Sequence, residues 1–327
     1  MNQEFEFNDH YCHNKELIST VVKSKYKIIK RLQGFSCTHF LIVYNEKKAV
    51  IGLPFYEKKD RLYVLGIKEY FDYSDAFFSN EDYKTIKEAF MEMIEFLSKK
   101  YNKIMWNYLP QDSIIKLILD EYKVMPIKCV KNVSIDYTGL NYDEYFKSLS
   151  KSNKQNLRTA VNRITRENGT IQLITNFDHN LDCYVFKDAT SLYIKRQKNK
   201  YEKNHFFLRK INFKYFNFMI NLMKKNKGVF FGLYINGELS AFMFGLVNKK
   251  ALSFEVNKLA IDDKYKFYSP GMILISKTIE YLVNNTNISK LDLCRGTEEY
   301  KFKMGGIIYN TFNYEIDLND FSSCKDK

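Results

Sequence analysis

The sequence predicts an α/β or α+β fold built as two similar halves of strands and helices. Three observations lead there. An apolar run, a polar turn, a second apolar run and a third occur in the same order at residues 40–65 and again at 229–256. Segments with apolar residues at spacings of three and four lie between the strand-like runs. The 327 residues, 45% of them apolar, are enough for two cores at roughly 150 residues per domain. The boundary is expected after residue 137, giving domains 1–137 and 138–327.

In the first half, Phe40–Tyr44 and Ala49–Phe55 flank the polar turn Asn45–Lys48 and read as a hairpin, with Pro54 ending the second strand's ladder. Arg61–Leu65 is a third strand. Ile86, Phe90, Met93, Ile94 and Leu97 make one face of a helix over 81–100. Lys103–Tyr108 is a strand, Asp112 or Ser113 caps a short helix to Glu121, and Val124–Tyr137 is extended.

The second half opens with a helix predicted over 142–168 and closed by Gly169. Phe146, Leu149, Leu157, Ala160, Val161 and Ile164 share one arc, and Lys147, Lys151, Lys154 and Arg158 another. A strand at 171–175 and helices at about 181–199 and 212–226 follow, with a basic loop expected between these helices, in a run from Lys195 to Lys210. Asn236-Gly237 joins two apolar runs as a hairpin. In the next strand, Leu252, Phe254 and Val256 alternate with Ser253, Glu255 and Asn257. Ser269 suits the N-cap and Pro270 the first position of a helix running to about Asn284. Gly271 would allow close approach to the backbone, and the helix start suits a phosphate. Lys290–Cys294 is a strand, followed by Gly296, Glu298, Tyr300, Lys301 and Lys303 within eight residues. Ile307–Asp317 is the last strand.

Bulk composition narrows the function classes. The net charge is +13, from 51 basic and 38 acidic residues, but only eight of the basic residues are Arg and no zinc-finger or RNA-recognition spacing accompanies them. Nucleic acid is therefore not expected as the main partner. The six cysteines include no C-x-x-C pair, the pattern of a reduced, cytoplasmic protein. Cys12 between His10 and His13 lacks a second ligand pair, so no metal is expected. The first residues carry no apolar signal region, and no run approaches the ~20 apolar residues of a membrane span.

The order hairpin, strand, loop, helix start, strand resembles the GNAT acyltransferase core, which implies an α+β fold of two tandem GNAT-like domains, each a mixed, mostly antiparallel sheet flanked by helices. That core binds acyl-CoA pyrophosphate at a loop of pattern [Gln/Arg]-x-x-Gly-x-[Gly/Ala]. The matching stretch is Lys266-Phe-Tyr-Ser-Pro-Gly271, with Lys266 in place of Gln/Arg and Ser269 in place of the first Gly. Ser269-Pro-Gly271 followed by Asp292-x-x-x-Gly296-x-Glu298-x-Tyr300-Lys301 resembles tandem GNAT proteins of the cellulose-biosynthesis (CelD/BcsL-like) acetyltransferase type. Tyr73-Ser-Asp75, Leu109-Pro-Gln-Asp-Ser113 and Ser150–Arg158 fall in that family's order, so the resemblance covers roughly 35–317. Tyr300-Lys301-x-Lys303-x-Gly305 is also similar to the Fem-type peptidoglycan aminoacyl transferases.

The resemblance implies acyl transfer from acetyl-CoA or another acyl-CoA to the amine of a small molecule, sugar or cell-surface precursor. It implies that Ser269, Gly271, Met272 and Ile273 hold the pyrophosphate, with charge from Lys266 and Arg158. The thioester would lie where strands 251–257 and 290–294 part, bordered by Glu255 and Asp292. Glu255, Asp292 or Glu298 would accept the amine proton, Tyr300 would protonate the thiolate, and Lys301 would stabilise the oxyanion or hold a phosphate. Glu255 facing solvent and Asp292 shaping a turn are the plainer readings of those two acids. Arg295, Gly296, Tyr73 and Asp75 are the expected acceptor-side residues. Two alternatives stand beside this: a Fem-type transferase using aminoacyl-tRNA, and a non-catalytic binding protein on a GNAT scaffold.

Overall fold

The computed structural model describes residues 38–45, 48–65, 72–177, 181–200, 217, 220–223, 228–249 and 251–322. The His10–Cys12–His13 cluster, most of the helix expected at 212–226 and the basic run from Lys203 to Lys210 lie outside them. The chain forms two compact units. Unit 1 holds the described residues up to Asn132 and again from Tyr309; unit 2 is Val133–Ile308. Among the described residues, no helix is long and apolar enough to cross a membrane.

Unit 1 contains β1 (Thr38–Asn45), β2 (Lys48–Lys58), β3 (Arg61–Val64), β4 (Phe77–Phe78), α1 (Tyr83–Ser98), β5 (Lys103–Pro110) and α2 (Ile114–Glu121). β6 (Lys128–Asp136) crosses into unit 2. β12 (Ile307–Asp317) returns from it, and α8 (Leu318–Ser322) ends the described chain. The sheet order is β1-β2-β3-β5-β12, with β4 added to β2. β3 and β5 are parallel; the other pairs are antiparallel. β12 runs beside β5 from Thr311–Pro110 to Asp317–Lys103, so the last strand, expected wholly in the second domain, packs largely in unit 1.

Pro54 does not end β2. It pairs with Phe40 on one side, and its carbonyl accepts the Leu65 N–H on the other at 2.9 Å. That second side is where β2 changes partner, from β4 at Ile51–Gly52 to β3 at Phe55, so the missing N–H falls in a gap of the ladder. The helix face read from sequence is the buried one: Ile86, Phe90, Met93, Ile94 and Leu97 pack on Trp106, Leu109 and Tyr314. The Trp106 indole N–H donates to the Ser74 carbonyl at 2.9 Å and so pins the 72–76 loop to the core.

Unit 2 contains α3 (Tyr142–Ser148), α4 (Lys151–Arg166), β7 (Ile171–Thr175), α5 (Cys183–Lys200), β8 (Val229–Ile235), β9 (Glu238–Asn248) and β10 (Ser253–Ile261). A 3-10 turn (Asp263–Tyr268), α6 (Pro270–Asn285), β11 (Lys290–Arg295) and α7 (Glu299–Lys303) follow. The sheet runs β11-β10-β9-β8-β7, with β10 and β11 parallel and the rest antiparallel. One face packs on α3, α4 and α6 through Leu149, Leu157, Ala160, Ile164, Ile273 and Leu274. α5 packs against β9 and β10.

The single helix expected over 142–168 is two. Leu149 and Ser150 are extended (ψ 152° and 151°), and the Ser150 hydroxyl accepts the Asn153 N–H at 3.2 Å. The apolar arc continues through the break because Leu149 stays buried. α4 closes on Asn168, at φ 54°, while Gly169 donates back to the Ile164 carbonyl at 2.8 Å. Asn168 therefore takes the left-handed position assigned to Gly169.

Asp75 lies in unit 1, 1% exposed, and accepts the Ser113 hydroxyl at 2.9 Å and the Ala76 N–H at 2.8 Å. Burial outweighs these bonds and pushes its carboxyl up to about 8. It was expected to contact an acceptor; it is enclosed and fixes the loop instead. Tyr73 is buried too, with its hydroxyl bonded to that of Tyr309. Because the unfolded carboxyl ionises near pH 4, Asp75 withdraws stability progressively between about pH 4 and pH 8 and changes nothing above that. Denaturation followed by Trp106 fluorescence, the sole tryptophan, is expected to lose more stability over that window in the natural chain than in Asp75→Asn; parallel pH profiles would contradict this.

Candidate functional site

The β10–β11 ladder has three rungs: Ser253–Lys290, Phe254–Leu291 and Glu255–Asp292. It then stops. β10 bulges between Val256 and Lys258 against β9, while β11 turns at Cys294 (φ 53°) and Gly296 (φ 101°). The two strands part beyond the last rung. Phe254, Val256, Leu291 and Leu293 point into the core under α6. Alternation therefore sends Glu255 and Asp292 to the opposite face. Both are buried, at 6% and 8% exposure, so Glu255 does not face solvent. The Glu255 Oε1 accepts from the Asn248 amide at 3.1 Å. The Asp292 Oδ1 accepts the Cys294 N–H at 2.8 Å and shapes the turn.

Lys301 is placed differently from the sequence expectation. Its side chain is 3% exposed. The ammonium donates to the carbonyls of Leu293 (2.9 Å), Cys294 (3.3 Å), Arg295 (2.8 Å) and Gly296 (3.1 Å). The Glu298 carboxylate adds an ion pair at 3.0 Å. Three N–H bonds serve five acceptors, so none is left for an oxyanion or phosphate. Lys301 is a positioning residue that curls the end of β11 around one charge. Glu298, expected as a base, is the exposed partner of this ammonium. It lies over Gly296, where a Cβ would come within 2.5 Å of its Oε2. That exposed carboxylate could move aside, so it is the positive φ of 101° that calls for glycine at 296. Arg295 is half-buried beside it.

Tyr300 packs half-buried against the unit 2 core. Burial and the nearby Glu298 charge raise its phenol well above the ordinary value, and Arg196 acts weakly in the opposite direction. The phenol therefore remains a hydrogen-bond donor at neutral pH. Arg196, read from sequence as part of a basic loop, is on α5 and donates to the Leu259 carbonyl on β10 at 2.8 Å.

The start of α6 follows the expected Ser-Pro-Gly order with different internal contacts. Ser269 is left-handed (φ 49°) and its hydroxyl caps nothing; its carbonyl accepts the N–H groups of Met272 and Ile273 at 3.0 and 3.3 Å. Gly271 is buried, and a Cβ there would meet the Ile261 Cδ1 at 2.7 Å. The glycine lies close against Ile261 of β10. Lys266 is exposed on the preceding turn. The cation that reaches this loop from α4 is Arg163, which donates to the Phe267 carbonyl at 3.1 Å and lies 4.4 Å over the Phe267 ring. Arg158, five residues earlier, does not; with Ile273 it lines a separate cavity.

Residues 151–302 match the family model described as an acetyltransferase (GNAT) domain. No curated protein matches the chain. Among solved structures, the chain is similar to FemX (TM-score 0.60, 11% identity, 93% of this chain and 94% of that one). It is also similar to a conserved protein of unknown function from Bacteroides thetaiotaomicron (TM-score 0.57, 12% identity, 95% and 99%). At these identities the likenesses establish the α+β fold alone.

Lys301→Met should leave the four carbonyls without their shared donor around an apolar tip and cost unit 2 about 1–3 kcal/mol. Lys301→Arg should not restore it, because a planar fork cannot converge on one point. Denaturation read by circular dichroism checks both. Unchanged stability in Lys301→Met would assign the residue to substrate instead.

Proposed function

We propose that unit 2 transfers an acyl group from an acyl-CoA to an amine. The parting of β10 and β11 just beyond the buried Glu255–Asp292 rung carries this reading, and it lies within the segment matching the acetyltransferase (GNAT) model. The 16-residue helix α6 starts at the other end of the loop that leaves β10. Its dipole favours an anion such as pyrophosphate, with Lys266 and Arg163 adding charge nearby.

The amine nitrogen attacks the thioester carbonyl carbon, and the carbon–sulfur bond then breaks. Glu255 takes the proton lost by nitrogen, directly or through one water, and Asp292 holds the strand end opposite it. Glu255 suits the task by its place, on the last rung before the strands part. Tyr300 has a narrower role than full proton donation. A free thiol ionises near ~8.5, far below this raised phenol, so transfer from phenol to thiolate is uphill. The phenol stabilises the departing sulfur by a hydrogen bond and keeps its proton. The acceptor's identity is set by groups around Arg295 and Gly296.

Calorimetric titration with acetyl-CoA and longer acyl-CoAs tests the donor. Saturable binding with one site is expected. Glu255→Gln should keep that binding while lowering thiol release, measured over a panel of amines, by about 10²-fold. Absence of acyl-CoA binding overturns the reading, and binding of aminoacyl-tRNA in its place selects the Fem-type alternative.

A further inference from the structure

The helices α3, α4 and α6 of unit 2 frame an open cavity of about 240 Å³. Leu157 and Ile273, 5% and 1% exposed, form its apolar base, and Phe146 and Val161 continue the wall. At one end, the Tyr142 and Ser276 hydroxyls bond each other at 2.6 Å and satisfy themselves. The charged groups are unequal. Lys277 is paired with Glu280 at 2.9 Å. Arg158 instead lies with its guanidinium 5.3 Å over the Phe146 ring. Among the described residues it meets no carboxylate. Two cations and one anion line the cavity, so it carries one net positive charge.

We infer that this cavity is a second ligand site, distinct from the acyl-donor opening, and that it takes a small carboxylate with a compact apolar or aromatic body. The guanidinium, lying over the Phe146 ring, presents a planar fork that matches a carboxylate. A phosphate dianion fits less well: it would exceed the single net charge and lie near the Glu280 carboxylate. The volume is below the ~300–1,000 Å³ of sites for drug-sized ligands, which limits the body to about a single ring and a short arm. The aromatic wall favours a ring. α6 connects the two sites, since Ile273, Ser276 and Lys277 lie on the helix whose first turn borders the proposed donor site. The inference does not depend on acyl transfer.

3-Phenylpropionate is the probe, titrated calorimetrically into the full chain. Saturable one-site binding in the millimolar range or tighter is expected. The neutral alcohol 3-phenylpropan-1-ol, with the same body, should bind about tenfold weaker or less, because it lacks the charge-assisted bonds. Arg158→Gln should weaken the acid by about tenfold and leave the alcohol unchanged. Val161→Trp should abolish both by filling the space. Arg158→Gln is on an exposed face and tests the site even if Val161→Trp folds poorly. Failure of 3-phenylpropionate to saturate, equal binding of acid and alcohol, or undiminished binding by Arg158→Gln overturns the inference.

Discussion

One buried ammonium determines the shape of the end of β11. Lys301 collects the carbonyls of four successive residues, Leu293 to Gly296, and this cannot occur on a straight strand, whose carbonyls alternate in direction. The strand has to curl, and Cys294 and Gly296 supply the two positive φ values that allow it. Asp292 fixes the first residue of the curl through the Cys294 N–H. Once β11 has curled it cannot continue its ladder with β10, and the opening after Glu255 follows. The lysine thus acts through backbone geometry rather than by touching a substrate.

The same opening explains why two carboxylates are buried side by side in register. On an edge strand Glu255 and Asp292 would be solvated and ordinary. Here α5 packs against β9 and β10, and each acid is held by a neighbour: Asn248 for Glu255, the Cys294 N–H for Asp292. The face with Phe254 and Leu293 supplies the core, and the face with the acids supplies the polar groups. The two functions of β10 and β11 are separated by strand alternation alone.

The strands, both hairpins and the start of α6 were legible because period-2 runs, Asn236-Gly237 and Ser269-Pro270 are local signals. The break at Leu149–Ser150 was hidden by an apolar arc that runs straight through it. Lys301 and Glu255 were legible as residues of interest but not in their roles, since neither enclosure by backbone carbonyls nor packing by a distant helix leaves a trace in spacing. Arg158 and Arg163 lie on the same helix, and only its placement shows that Arg163 reaches the Phe267 loop. The pairing of β12 with β5 joins residues more than 190 apart, beyond any pattern along the chain.

Hydrogen–deuterium exchange with and without saturating acetyl-CoA tests the central claim that the parted strands form the donor site. Slowed exchange should concentrate in three segments, 253–257, 266–273 and 292–297, which are separate in sequence and meet only around the opening. Slowing confined to unit 1, or to the helices around Arg158, with these three segments unchanged would contradict the account.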